Sequence, residues 1–285
     1  MFQRVYVEIG NICNLRCSFC PSIKREPRRM DAQEFRAVCE CLLGHTEYIY
    51  LHVMGEPLYH PELGVFLDIA KEYGYKTCIT TNGTLLSVKE QELLSHADAI
   101  HRISISLHCM EGNGAESAMK NYLKNCVSFA KKAAEAGIYT VFRLWNLDSE
   151  EGSGANKENA LIEETIKREF PGEWQKRWSG FRIAKGIFLE YAGIFTWPSE
   201  STADAEEDGY CHGLCDQIAI LADGTIVPCC LDSEGVIALG NIFEAELDKI
   251  LSSERAVRMR EGFAKGKMEE DMCKKCTYAR RFKKR

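Results

Sequence analysis

The sequence predicts an α/β protein: a partial (β/α)6 barrel of TIM-like design, followed by a small C-terminal domain of β-hairpin and helices. Three observations predict it. Short apolar runs alternate with amphipathic stretches as far as Trp197, the pattern of parallel strands joined by right-handed helical crossovers. At about 30 residues per βα unit, that length holds about six units, fewer than a closed eight-unit barrel of about 250 residues requires. Beyond Gly209 the texture changes to a hairpin, short helices and closely spaced cysteines. The expected boundaries are 1–197 for the barrel, 198–208 for an acidic linker and 209–285 for the second domain.

The strands are expected at Val5–Ile9, Tyr48–Val53, Lys76–Thr81, Ile100–Leu107, Tyr139–Trp145 and Ile183–Tyr191. Asp31 with Glu34 forms a capping box ahead of Phe35, Val38, Leu42 and Leu43, and Ser87 with Glu90 repeats the pattern ahead of Leu93 and Leu94. A long helix runs from about Ser117 to Ala136 and stops at Gly137, a residue suited to a left-handed helix end. Asp148–Ala160 and Pro198–Gly209 read as insertions, the second carrying the domain boundary. Gln217–Leu221 and Thr225–Val227, joined by Ala222-Asp223-Gly224, read as a hairpin. Helices are expected over Ile242–Leu251 and Glu254–Phe263.

Composition narrows the function classes. Of 285 residues, 45% are hydrophobic and 27% charged, enough apolar material for a sizeable core. The net charge of −6 gives no global attraction to nucleic acid or to an anionic membrane, although the chain ends on the basic run Arg280-Arg281-Phe282-Lys283-Lys284-Arg285. No apolar run is long enough for a membrane helix, and the first thirty residues lack a signal-peptide pattern. The 14 cysteines are therefore expected to be reduced thiols of a cytoplasmic protein, or ligands of metal. Cys39, Cys78 and Cys126 sit inside apolar patterns and read as small buried hydrophobes, as do Cys41 and Cys109.

Spacing singles out the remaining thiols. Cys13, Cys17 and Cys20 lie within eight residues, in a loop whose Gly10, Asn11 and Asn14 tolerate tight turning. Thiolates hold zinc or iron–sulfur clusters. No fourth cysteine follows, so a cluster held by these three keeps one iron free, and an open metal position favours chemistry over scaffolding. Late in the chain stand Cys211, Cys215, Cys229, Cys230, Cys273 and Cys276. A hairpin and a terminal C-x2-C could hold zinc or a closed cluster, and residue chemistry alone leaves both open.

Cys13-x3-Cys17-x2-Cys20 after the first strand of a βα chain resembles the signature of the radical S-adenosylmethionine (SAM) enzymes. Met54-Gly55-Glu56-Pro57 after the second strand resembles that family's Gly-Gly-Glu-Pro segment, with Met in place of the first Gly. Thr81-Asn82-Gly83 and Ser104-Ile105-Ser106-Leu107-His108 are similar to segments that line its cofactor site. The resemblance implies a SAM-binding 4Fe–4S cluster on Cys13, Cys17 and Cys20. It further implies SAM contacts from Phe19, Gly55, Glu56, Asn82, Ser104, Ser106 and Arg143, the last suited to the SAM carboxylate. Alternation along the strands puts Ser104, Ser106 and His108 on one face, and Val141, Arg143 and Trp145 on another, both turned into the barrel. His108 is the candidate catalytic base, with Asn146 and Glu190 also at strand ends.

The late cysteines, with Gly224 and Gly240-Asn241-Ile242 between them, resemble the SPASM/Twitch extension of radical SAM enzymes. Carried over by position, Cys211, Cys229, Cys273 and Cys276 are the ligands of one auxiliary 4Fe–4S cluster, and Cys215 and Cys230 are neighbours, with Cys215 able to compete with Cys211. The family's chemistry is reductive cleavage of SAM to a 5′-deoxyadenosyl radical, which takes hydrogen from an unactivated C–H bond. The implied partners are an electron donor such as flavodoxin or ferredoxin and a small-molecule or peptide substrate. Four readings follow: a dehydrogenase, a peptide maturase, a non-catalytic iron–sulfur or zinc protein, and an RNA-modifying enzyme. A maturase of this kind usually carries a peptide-binding segment ahead of the barrel, and here the first strand begins near Arg4, so it would need a partner.

Overall fold

A computed structural model describes the 285 residues apart from 22, 113–115, 148–156, 199–200, 202 and 283–285. Most of the Asp148–Ala160 insertion, three linker residues and the last three basic residues therefore lie outside the described residues. Strands β1 (Arg4–Val7), β2 (Tyr48–Tyr50), β3 (Lys76–Thr81), β4 (Ile100–Ser106), β5 (Tyr139–Leu147) and β8 (Ile187–Gly193) pair in parallel, in that order. They are the six expected strands of an unclosed barrel. Helices α1 (Ala32–Cys41), α2 (Leu63–Glu72), α3 (Leu86–Ser95), α4 (Glu116–Glu135) and α5 (Lys157–Glu169) make the crossovers.

Local chemistry sets the helix ends. The Asp31 carboxylate accepts from the Gln33 and Glu34 amides, and Glu34 returns a bond to the Asp31 amide, so the capping box is real. The second expected box does not form. Ser87 lies inside α3, whose N-cap is Leu85 with no side-chain bond; the fully buried Leu86 pulls the first turn two residues earlier. Helix α4 ends where Gly137 takes a φ of 90°.

Two further expectations change. Ile183–Tyr191 is not one strand. It is the end of β7 (Gly180–Ala184) and most of β8, turning antiparallel at Lys185-Gly186, where Gly186 has a φ of 75°. Strand β6 (Gln175–Arg177) pairs outside β7 and forms one sheet edge. The helix expected from Ile242 begins only at Leu247. Gly240–Asn241 is used as β11, and the Asn241 side chain accepts from the Phe243 amide in a turn. The helices here are α6 (Leu247–Leu251), α7 (Glu254–Ala264) and α8 (Asp271–Lys274).

The hairpin forms as expected from β9 (Gln217–Ile220) and β10 (Thr225–Val227). Its attachment is new. Strand β9 pairs in parallel with β1 over Arg4–Val7, giving one sheet of order β11-β10-β9-β1-β2-β3-β4-β5-β8-β7-β6. One apolar core runs from Val5 and Phe66 through Ile218 to Met259 and Phe263. At the other edge, the C-terminal segment crosses to the end of β8. Arg281 donates to the Gly193 and Ile194 carbonyls, and Thr277 to that of Thr196.

Strand alternation divides the barrel. Val5, Val7, Ile79, Ile103, Ile105 and Leu189 are buried toward the helices. The opposite parity is strongly polar: Tyr6 and Glu8, Tyr50 and His52, Cys78 and Thr80, Arg102, Ser104 and Ser106, Arg143, Glu190. A barrel interior of this composition is built to hold polar ligands rather than to fill a core.

Candidate active site

The cysteine loop lies across the C-terminal ends of β2, β3 and β4. Cys13 and Cys20 are exposed and Cys17 is half-buried. The Leu15 amide points at the Cys13 sulfur at 3.4 Å, and the Asn82 side-chain amide at 3.9 Å. Cys17 reaches the Cys109 carbonyl at 3.7 Å, and its charge and that of Cys20 both raise the Cys109 thiol pKa. Cys109 is thus buried as expected, yet it belongs to this thiol group. Amide donors aimed at sulfur suit thiolates and tune the potential of an iron–sulfur cluster. The donor set is all sulfur, and it fits a cluster.

Gly55 and Glu56 explain how the loop is held. Gly55 has a φ of 78°, and a Cβ there would stand 2.3 Å from the Gly10 carbonyl oxygen. Only glycine lets the β2 turn approach the cysteine loop so closely. The Glu56 amide then donates to the Ile12 carbonyl at 3.1 Å. The Glu56 carboxylate accepts from the Leu58 amide at 3.0 Å and the Asn82 amide at 2.7 Å. Burial raises its pKa to about 7, against the pull of those donors. The Glu56 side chain therefore organises the β2 and β3 turns, and the backbone of the segment faces the loop.

Asn82 is equally committed. Its Nδ2 donates to Asn14 Oδ1 at 2.9 Å, and Asn14 in turn donates to Thr84 Oγ1 at 2.9 Å. Gly83 admits α4, since Tyr122 Oη donates to the Asn82 carbonyl at 2.7 Å. Ser104 is buried and pairs in register with Thr80 and Val141, and Ser106 pairs with Arg143. Phe19 packs against His108 with ring centroids 5.0 Å apart.

His108 Nδ1 lies 3.2 Å from the Arg143 carbonyl oxygen and 3.4 Å from the Trp145 amide nitrogen, so backbone groups on β5 occupy it in either tautomer. Burial, with the Arg143 charge, lowers its pKa to about 4 despite that carbonyl. A group held so firmly neutral is a poor acceptor of a substrate proton at neutral pH. Asn146 turns away from the interior and makes a two-way amide pair with buried Asn159 of α5, at 2.9 and 3.0 Å. Arg143 faces inward as expected: it covers the Trp145 ring at 4.4 Å and donates to Thr80 Oγ1 at 3.2 Å.

Sequence reasoning missed the residues that tie the loop to the rest. Glu8 is fully buried and takes Arg25 in a bidentate pair at 2.7 and 2.9 Å. It also accepts from the Met54 amide at 3.1 Å and the Ala222 amide at 2.9 Å. Arg25 continues to the Ser233 carbonyl at 2.7 Å, and Arg28 to that of Ala222 at 2.8 Å. One buried carboxylate thus joins β1, the cysteine loop, the β2 turn and the β9–β10 turn. The inward parity of Arg4, Tyr6 and Glu8 was the available signal.

The late cysteines share one electrostatic neighbourhood. Burial raises all their pKa values, and Cys211 reaches about 11. Their charges also act on one another: Cys276 and Cys215 on Cys211, Cys211, Cys230 and Cys273 on Cys229, and Cys211 and Cys276 on Cys273. Amides point at three of the sulfurs, that of Gly213 at Cys211, that of Leu231 at Cys229, and those of Tyr278 and Ala279 at Cys276. Among the described residues, no three ligand side chains close on a point as around a single ion. A cubane spaces its thiolates more widely. Burial raises Cys215 too, with Asp216 and Arg260 acting on it in opposite senses. Cys230 turns into the barrel, where Tyr6 donates to it. Cys78 also faces inward, toward Tyr50 and Arg102, and is a buried thiol in polar surroundings.

An unclosed parallel barrel with a three-thiol loop on its C-terminal face and a four-thiol group beside it defines a class of iron–sulfur enzyme. Residues 7–151 match the family model of the Radical SAM superfamily, and residues 211–277 match that of an iron–sulfur cluster-binding domain. The chain belongs to the radical SAM superfamily. Its cofactors are accordingly SAM, a 4Fe–4S cluster and auxiliary iron–sulfur in the C-terminal domain. The chain is 22% identical to the S-adenosyl-L-methionine-dependent 2-deoxy-scyllo-inosamine dehydrogenase of Niallia circulans, over 97% of this chain and 93% of that protein. The fold is similar to that of BtrN in complex with AdoMet and 2-DOIA, with a TM-score of 0.63 at 19% identity, covering 97% of this chain and 93% of that one. It is also similar to Streptococcus suis SuiB bound to S-adenosylmethionine, with a TM-score of 0.64 at 16% identity, covering 92% of this chain and 68% of that one. No helix among the described residues is long and apolar enough to cross a membrane.

Proposed function

We propose that this radical SAM enzyme dehydrogenates a small molecule at a hydroxyl-bearing carbon. The observation that carries the reading is a cleft of mixed aromatic and charged lining between the inner faces of β4, β5 and β8 and the β6–β7 hairpin. It measures about 450 Å³, with Arg102, Val141, Phe188 and Glu190 on the barrel wall and Arg177 and Trp178 on the β6–β7 turn. That size suits a small molecule. The single four-thiol group and the end-to-end similarity to a dehydrogenase favour oxidation over peptide crosslinking.

In this reading Cys13, Cys17 and Cys20 hold the first cluster, and Cys211, Cys229, Cys273 and Cys276 hold the second. Phe19, the Gly55 and Glu56 backbone, Asn82, Ser104 and Ser106 surround SAM, while Arg143, expected at the SAM carboxylate, reaches down to Thr80 and is left to the substrate. When bound, these groups supply a 5′-deoxyadenosyl radical and an electron acceptor. They would take up the substrate's C–H hydrogen and its remaining electron, and Glu190 takes the hydroxyl proton. The electron that cleaves SAM comes from a reduced low-potential donor protein. Glu190 replaces His108 as the base because its carboxylate enters the cleft, while His108 is locked neutral against Phe19.

The test is anaerobic incubation with SAM, dithionite and polyhydroxylated small molecules, 2-deoxy-scyllo-inosamine among them. The expected product is two hydrogens lighter than its substrate, forms in step with 5′-deoxyadenosine, and passes deuterium from the oxidised carbon to it. Glu190→Gln is expected to slow the oxidation more than about 100-fold. Transfer of deuterium from a peptide carbon instead, with crosslinked product, would move the enzyme to the maturases.

A further inference from the structure

The barrel interior carries more positive charge than its own structure uses. Arg102 and Arg143 project inward from adjacent strands, and burial and the Arg102 charge both disfavour the charge on Arg143. Among the described residues neither makes an ion pair, and the Nε atoms of both are buried without a hydrogen-bond partner. Arg102 is offered only the Tyr50 hydroxyl, at 3.5 Å, and the face of the Tyr50 ring. His52, two residues past β2, is half-buried against the Tyr6 and Tyr50 rings within reach of both arginine charges, and its Nδ1 is also buried without a partner. Glu190 acts on Arg143 as the one nearby carboxylate, too far for ion-pair contact. Two like charges held together in a poorly solvated space, with orphaned donors, are costly unless a ligand completes them.

We propose that Arg102 and Arg143 form an anion site for the substrate, accepting a carboxylate or a phosphate. This deepens the dehydrogenase reading and rests on it for the identity of the ligand as substrate. Guanidiniums present planar, paired donors that match both anions. His52 adds a neutral hydrogen-bonding atom, because burial and the two arginines hold it uncharged. The site's depth has a consequence. Arg102 stands at the register of Tyr50 and Cys78, one inward position below Ser104 and two below Ser106. An anionic group held there leaves the remainder of the molecule extending upward toward the cysteine loop. The anchor lies below and the reacting carbon above, so the anion fixes which carbon meets the radical. The cleft that contains Arg102 and Glu190 opens beneath Trp178, giving the anion a route in.

The site is tested on the anaerobically reconstituted full chain with SAM bound, by titration calorimetry with inorganic phosphate and, separately, with acetate. Sodium chloride at equal ionic strength is the reference. Saturable binding of one or both anions is expected, and the tighter one names the substrate's acidic group. Arg102→Gln is expected to weaken it at least tenfold, and Arg102→Lys, which keeps the charge but loses the paired donors, to weaken it less. Arg36→Gln, which removes an exposed pair with Glu72 on the outer surface, is expected to bind as the parent does. Circular dichroism and iron content establish that each variant is folded and loaded. Absence of saturable binding by the parent, or equal binding by folded Arg102→Gln, overturns the proposal. SAM cleavage by the parent is assayed in the same preparation. Arg102-dependent binding without SAM cleavage would keep the anion site and sink the enzymatic reading.

Discussion

Replacing Cys13, Cys17 and Cys20 together by alanine abolishes 5′-deoxyadenosine formation from SAM and dithionite. The loss is complete because the radical can arise only where a cluster with an open iron meets SAM. The three thiols sit on an outer loop, Cys13 and Cys20 being exposed. That loop is held independently by Gly55, Glu56 and the Glu8–Arg25 pair, so the fold is expected to survive the change. Circular dichroism separates folding from chemistry. Chromatographic detection of 5′-deoxyadenosine at the parent rate in the triple variant would place radical formation elsewhere in the chain.

The second large effect belongs to the C-terminal thiols. Cys273→Ala with Cys276→Ala is expected to leave the first cluster and SAM cleavage in place while product formation stops. Without the second cluster, the electron left after hydrogen abstraction has no acceptor, and 5′-deoxyadenosine accumulates uncoupled from product. Stability is expected to fall as well, since ligand bonds help to order a small domain. Here that effect is moderated, because β9 is paired with β1 and the apolar core of the domain is continuous with the barrel. A folded double variant that turns over substrate at the parent rate would make the second cluster dispensable and remove the electron path from the mechanism.

Much of this architecture was legible in local pattern. Ser104 and Ser106 face inward and Ile103 and Ile105 face the helices because strand parity leaves no other choice once the isoleucines are buried. The Asp31–Glu34 box and the Gly137 stop were readable because each is complete within a few residues. What escaped depends on distance in the chain. Nothing near Glu8 announces that Arg25 and the Ala222 amide will meet it. Nothing in the hairpin announces that β9 adds to β1. Arg102 and His52 were within reach, since they continue the inward parity of Ser104 and of Tyr50. They were passed over because the family motifs begin above them. Asn146 illustrates the reverse error: its position at a strand end suggested substrate contact, while its parity turns it outward to Asn159.

The central claim is that one chain carries two separate clusters, the first on three thiols and the second on four. Iron, acid-labile sulfide and zinc measured on the anaerobically purified protein test it most directly. The account predicts about eight irons and about eight sulfides per chain, as two 4Fe–4S clusters require, with zinc at background. About four irons and four sulfides with one zinc per chain would make the C-terminal thiols a structural zinc site and contradict the account.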